Sequence, residues 1–226
     1  MPPDALVAAT SLRKVHGAGD EAVTAVTDAT FRVTPGDRIA LVGPSGSGKS
    51  TLLHLIAGLD VPSGGTIGWP GIGPIAALRP GPVSVAFQGP TLLPALTVLE
   101  NVELPLLLAG AGEAEATAAA LEMLKRFDLE DVADKLPEEI SGGQSQRAGV
   151  ARAAIGRPRL VLADEPTGQL DHETAALVMA ALVATLDEAG SALVVATHDE
   201  EIARMFPIRW AIAGGTLTTE VASCSA

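Results

Sequence analysis

Nine consecutive residues, Gly43-Pro44-Ser45-Gly46-Ser47-Gly48-Lys49-Ser50-Thr51, have the composition and spacing that hold a chain of phosphates. The glycines let backbone N–H groups turn inward on an anion, and a helix starting there would add its positive end. Lys49 would reach the β- and γ-phosphates, and the Ser50 hydroxyl would take a place on Mg²⁺. Such a loop works only between a strand and a helix. Arg38 to Val42 is a short apolar run suited to a buried strand, and Thr51 to Gly58 carries helix formers and a Gly stop. The stretch therefore predicts a nucleotide site with ATP and Mg²⁺ as its ligands.

A phosphate loop needs a second acidic element. Leu160-Val161-Leu162-Ala163-Asp164-Glu165 supplies four apolar residues of strand and then two carboxylates at its carboxyl end, where ligands of open α/β sheets bind. Asp164 would support Mg²⁺ through water. Glu165 would polarise an attacking water as general base. Up to this point a small-molecule kinase with the same parts fits as well as an ATPase.

The elements that must position these groups follow from the rest of the chain. Residues 5–34 alternate loosely around a turn at Gly17-Ala18-Gly19-Asp20, which predicts antiparallel strands, and Pro35-Gly36-Asp37 turns into the phosphate-loop strand. Gly and Pro crowd 61–82 and favour turns and short strands; Val83 to Phe87 reads as a strand. Between Leu96 and Glu139 the pattern is helical, with Ala114, Ala118, Leu121, Leu124 and Phe127 on one face. A helix is expected over 144–155, a strand over 160–163, a helix over 172–189 and a strand over 192–196. A short helix near 200–206 and strands at 208–213 and 216–221 end the pattern. The fold class is thus α/β: a nucleotide-binding core with a mostly parallel sheet, an N-terminal antiparallel β subdomain, and an inserted α-helical subdomain. We expect one domain over 1–226, with the β and phosphate-loop core at about 1–89 and 158–226 and the helical subdomain at about 90–157.

Bulk properties narrow the partners. Fifteen basic against 27 acidic residues give a formal charge of −12, which disfavours nucleic acid. The longest apolar stretch, Ala175 to Leu186, falls short of the ~20 residues that cross a bilayer. Met1-Pro2-Pro3-Asp4 has neither the basic nor the apolar region of a secretory leader, and the single cysteine, Cys224, suits a reducing compartment. A cytoplasmic location is expected, with any membrane link made through a partner.

Ile140-Ser141-Gly142-Gly143-Gln144-Ser145-Gln146-Arg147 separates the two chemistries. It resembles the Leu-Ser-Gly-Gly-Gln signature of ABC-type ATPases, which kinases lack. Ser141 and Gly142-Gly143 at a helix N-terminus form a second anion site. With one phosphate loop per chain, that site must meet the γ-phosphate of a nucleotide held by another chain, so the resemblance implies a head-to-tail homodimer enclosing two ATP molecules. The likeness spans nearly the whole chain. It implies that Gln88 is a metal ligand that senses a membrane partner, and that Gly168-Gln169-Leu170-Asp171 crosses the dimer interface, Asp171 also serving as a helix cap. It further implies that His198, in Ala196-Thr197-His198-Asp199, contacts the γ-phosphate and orients the water with Glu165. His16 stands where the family has an aromatic that stacks on adenine, and imidazole offers a smaller surface. Ile140 replaces the leading Leu, Gln169 replaces Asn, and the loop between Gly64 and Val83 is compressed.

Pro90 to Pro105, with Ala163 to Gly168, is similar to one bacterial group of the family, the macrolide-export, lipoprotein-release and cell-division ATPases. The segment after Gln88 in that group lies under an integral-membrane permease. The resemblance implies an ATP-hydrolysing subunit, peripheral on the inner face of the cell membrane, that powers export or mechanotransmission. The rival function is regulation of a cell-wall enzyme through a permease-like partner.

Overall fold

A computed structural model describes residues 4–89 and 91–221; Pro90, the first residue of the segment expected to lie under a permease, and Cys224 lie outside them. One sheet runs through the molecule in the order β4-β1-β2-β9-β8-β3-β7-β6-β5. Its first three strands, β4 (Gly64–Gly68), β1 (Val7–His16) and β2 (Val23–Val33), pair antiparallel, as the alternation at 5–34 predicts. The strands β8 (Ile208–Ala213), β3 (Arg38–Val42), β7 (Ala192–Thr197), β6 (Leu160–Asp164) and β5 (Val83–Ala86) are all parallel. The joint is β9 (Thr216–Val221), antiparallel to β8 and parallel to β2 at the pair Asp28 and Thr216.

The inner parallel strands β3, β7 and β6 are buried on both faces, which explains their largely apolar runs. Side chains alternate between two cores. Ile39, Leu41, Leu160, Leu162 and Val194 face one core with α1 (Lys49–Ile56) and the antiparallel strands; Ala40, Val161, Ala163, Leu193 and Val195 face the other. The second core is closed by α5 (His172–Ala189), α6 (Glu200–Arg204), and the helices α2 (Val98–Leu108), α3 (Glu113–Arg126) and α4 (Gly142–Ala154). Helix α5 starts where Asp171 accepts from Thr174 N–H and stops at Gly190, whose φ of 65° an L side chain adopts with strain.

One expected face is right at Leu124 and Phe127 and wrong before them. On α3, Ala114, Ala118 and Leu121 are exposed, and the buried stripe is Ala116, Ala120, Met123 and Leu124, continued by Phe127 beyond the helix. Alanine carries little apolar signal, so two stripes of this helix look alike in sequence. Packing against α2 and α4 selects the one that buries Met123.

Asn101, fully buried on α2, holds the segment that follows Gln88. Its Oδ1 accepts from Leu93 N–H at 2.7 Å, and its Nδ2 lies 3.0 Å from the carbonyl oxygens of Leu93, Leu96 and Thr97. Arg152 of α4 donates to Asn101 Oδ1 and to Thr91. Truncation at Asn101 leaves buried donors and acceptors without partners, each costing about 1–3 kcal/mol. We expect Asn101→Ala to destabilise the chain by about 2–4 kcal/mol, read as a lower denaturant midpoint with unchanged slope.

Candidate active site

Four neighbouring parallel strands end in chemically active groups. β3 runs into the phosphate loop, β7 into His198, β6 into Asp164 and Glu165, and β5 toward Gln88. The strand order β3-β7-β6-β5 sets these ends side by side, at the edge where α/β sheets bind ligands. A cleft of about 430 Å³ lies there, lined by Ser45, Gly46, Gly48, Lys49, Ser50, Thr51, Gln88, Asp164, Glu165 and His198, with Val23, Thr24 and Ala25 of β2 along one side.

The loop is closely seated. Gly48 caps α1 with φ 107°, and a Cβ there would lie 2.1 Å from the Ala25 carbonyl oxygen, so only glycine fits. Lys49 is 8% exposed and donates from Nζ to the carbonyl oxygens of Gly43 at 2.8 Å and Pro44 at 3.1 Å. Its ammonium is therefore held at the mouth of the loop by backbone acceptors that an incoming phosphate can replace. Ser47 Oγ is buried without a hydrogen-bond partner beside Gly43, and a Cβ on Gly43 would crowd it at 2.8 Å.

Asp164 and Glu165 are both buried, and Asp164 Oδ1 has no hydrogen-bond partner. A buried carboxylate oxygen left bare costs free energy unless a ligand, water or cation meets it. Glu165 has a left-handed backbone, φ 48°, unusual for a residue with a side chain. Its Oε2 accepts from His198 Nδ1 at 2.8 Å. The His198 ring is largely exposed toward the cleft, while the Glu165 side chain is enclosed. This pair can take a proton from a water in the cleft and keep the carboxylate oriented while it does so.

The signature residues lie elsewhere. Ser141 to Gln144 open α4 and do not line the cleft. Ser141 Oγ accepts from Gln144 N–H at 3.2 Å, and Gln144 Oε1 accepts from Ser141 N–H at 2.8 Å. This reciprocal capping box satisfies two helix-end donors and leaves the N–H groups of Gly142 and Gly143 outside it. The expected interface segment lies against this turn: a Cβ on Gly142 would sit 2.9 Å from Gln169 Oε1, and one on Gly143 3.1 Å from Leu170 Cδ2. Asp171 caps α5, and the Thr174 N–H and hydroxyl hold its carboxyl below the usual carboxylate range. His16, at the end of β1, is exposed, with Nε2 3.4 Å from Thr51 Oγ1, which places the ring at the edge of the loop helix. Sequence reading assigned nothing to Gln146, Asn101 or Arg152. Gln146 and Asn101 sit on helix faces shared with Val150 and Val98, and a polar side chain at such a position was the available signal.

A family model for ABC transporters matches residues 26–168. The chain belongs to the ABC transporter family. As an ATPase of that family the cassette binds ATP and hydrolyses it. Lipoprotein-releasing system ATP-binding protein LolD of Legionella pneumophila (strain Paris) is 42% identical over 207 residues, covering 88% of the cassette and 91% of that protein. The namesake from Idiomarina loihiensis is 39% identical with the same coverage. Among solved structures, the dimeric post-hydrolysis state of the ATP-binding cassette MJ0796 bound to ADP and Pi is 34% identical with a TM-score of 0.88, covering 96% of the cassette and 99% of that chain. A second dimeric structure of MJ0796 matches with the same score. The kinase alternative falls with these findings, and the expected fold class and bacterial group stand. No described helix of the cassette is long and apolar enough to cross a membrane.

Proposed function

We propose that this cassette is the Mg²⁺-dependent ATPase subunit of a lipoprotein-releasing type of transporter, working as a head-to-tail pair beneath an integral-membrane permease on the cytoplasmic face. The observation that carries the reading is the separation of two half-sites. Lys49, Gln88, Asp164, Glu165 and His198 share one cleft, while the anion-ready turn at Gly142-Gly143 stands apart from it. Two copies facing each other give each cleft the other's turn. The dimeric MJ0796 structures support that arrangement, and the curated relatives support the class of cargo.

Within one half-site, backbone N–H groups of Ser45 to Thr51 and the Lys49 ammonium bind the β- and γ-phosphates. Ser50, Gln88 and Asp164 would hold Mg²⁺ through hard oxygen donors of the kind that ion takes. The bare Asp164 Oδ1 fits this assignment. When bound, the ion would neutralise charge on the β- and γ-phosphates. Glu165 accepts the proton of the attacking water, and His198 orients both the carboxylate and the γ-phosphate. His16 flanks the base. Asp171 and its neighbours cross to the other copy. Residues 90–157 act as a helical subdomain that carries the signature turn, and 1–226 as one cassette. A largely apolar groove of about 700 Å³, whose lining includes Val85, Phe87, Leu104, Leu108, Arg79 and Arg152, suits an apolar segment of the permease.

Mixing two inactive variants tests the shared site. Lys49→Ala spoils the phosphate loop and Ser141→Arg blocks the signature turn, so each alone is expected to lack turnover. A mixed pair contains one site with both parts intact. Phosphate release in the mixture, rising with protein concentration, is the expected result. A mixture as inactive as its components sinks the shared site.

A further inference from the structure

Glu165 needs neighbouring groups to hold it in its left-handed conformation. Gln146, on the second turn of α4, is 5% exposed and spends its whole amide on this region. Its Nε2 donates to the Glu165 carbonyl oxygen at 2.8 Å, and its Oε1 accepts from Gln169 N–H at 2.8 Å. The Glu165 carbonyl also accepts from Gly168 N–H at 3.1 Å, and Glu165 N–H donates to the Ala196 carbonyl at the end of β7 at 2.9 Å. Both peptide groups flanking the Glu165 Cα are thereby fixed.

A φ of 48° at a residue with a Cβ is strained and persists only where its surroundings over-determine it. Were the peptide after Glu165 to turn over, the buried Gln146 amide would lose its acceptor. The direction of the Glu165 Cα–Cβ bond, and so the 2.8 Å contact of its carboxylate with His198, depends on that amide. The other end of the same side chain ties down Gln169, whose own side chain and that of Leu170 lie against Gly142 and Gly143.

We infer that Gln146 is a positioning residue for hydrolysis: its amide clamps the backbone at Glu165 and at Gln169 to the signature helix, and so aims the general base. The inference rests on the proposed role of Glu165. It assigns Gln146 to the chemical step and not to nucleotide binding, because no atom of Gln146 lines the cleft.

The test compares the full-length parent chain with Gln146→Met, Gln146→Glu and Glu165→Gln. Methionine fills the space and makes neither bond. Q146M is expected to lower kcat about 10–100-fold with KM for ATP within threefold, and to speed hydrogen exchange at the Gly168 and Gln169 amides of the nucleotide-free chain. Q146E keeps an acceptor for Gln169 N–H and loses the donor to Glu165; it is expected to protect the Gln169 amide and still lose kcat. A kcat within twofold of the parent in both variants, beside an inactive E165Q, overturns the inference alone. So does unchanged exchange at Gly168 and Gln169 in Q146M. Full turnover in E165Q overturns the reading of Glu165, and this inference with it.

Discussion

Replacing Glu165 by Gln is expected to cut ATP turnover roughly 10²–10⁴-fold while leaving ATP affinity within about threefold of the parent. The amide has the shape of the carboxylate and can still accept the hydrogen bond from His198 Nδ1, so the left-handed backbone and the Gln146 contact stay in place. What it cannot do is take a proton from water. The triphosphate then remains uncleaved, and whatever pairing ATP stabilises accumulates. Light scattering on the variant should move from one chain to two on adding Mg-ATP, by simple mass action on a ligand that binds the pair better than the single copy. Turnover at the parent rate removes Glu165 from its role. A chain that binds ATP yet stays single in this variant means that the permease must align the two copies.

The parts of this site that sequence made legible are those in which one contiguous stretch is both the element and the chemistry. Val42 into Gly43, Ala163 into Asp164 and Thr197 into His198 are each a buried strand ending in a functional group, and the parallel register carries those ends to one edge. The order of the strands brings them together, and no single stretch encodes it. Polar side chains that work from inside helices left less trace. Gln146 sits one and two turns before Val150 and Ala153, on a face that is otherwise apolar, and Asn101 follows Val98 in the same way. A glutamine or asparagine in such a place must find every partner in the protein, because water does not reach it. Sequence gives the need for partners but not which backbone groups meet it. The mistaken face of α3 has a different origin: Ala116 and Ala120 are no more apolar than Ala114 and Ala118, and only the helices beyond them break the tie. Ser141 and Gln144 show a third case, where the cap reading holds and leaves room for the proposed signature role. The side chains close on each other, and the glycine N–H groups between them are left for an anion.

The other large effect is expected at Lys49, and it falls on binding. The cleft holds two buried carboxylates, Asp164 and Glu165, and Lys49 is the one Lys or Arg among the residues that line it. A triphosphate entering without that ammonium would face two like charges in a setting where water screens them poorly. The Lys49 contacts with the Gly43 and Pro44 carbonyls hold the ammonium ready, so little side-chain ordering is left to be done when the phosphates arrive. Losing a buried charge partner of this kind costs about 2–5 kcal/mol, which is roughly 30- to 5,000-fold in dissociation constant. Lys49→Ala should therefore raise the ATP dissociation constant by at least 30-fold in a calorimetric titration, with the thermal midpoint of the nucleotide-free chain little changed because the two freed carbonyls border the cleft. Lys49→Arg should not restore affinity: the guanidinium is longer and planar, and the seat between Gly43 and Pro44 fits a compact ammonium. Affinity within threefold of the parent in Lys49→Ala would mean that the loop amides alone hold the phosphates. Set beside Glu165→Gln, which keeps ATP and stops the chemistry, the two variants divide the cleft into a binding half on β3 and α1 and a hydrolytic half on β6 and β7. Glu165→Gln is expected to spare the binding half, whereas Lys49→Ala starves the hydrolytic half of ATP and silences turnover as well.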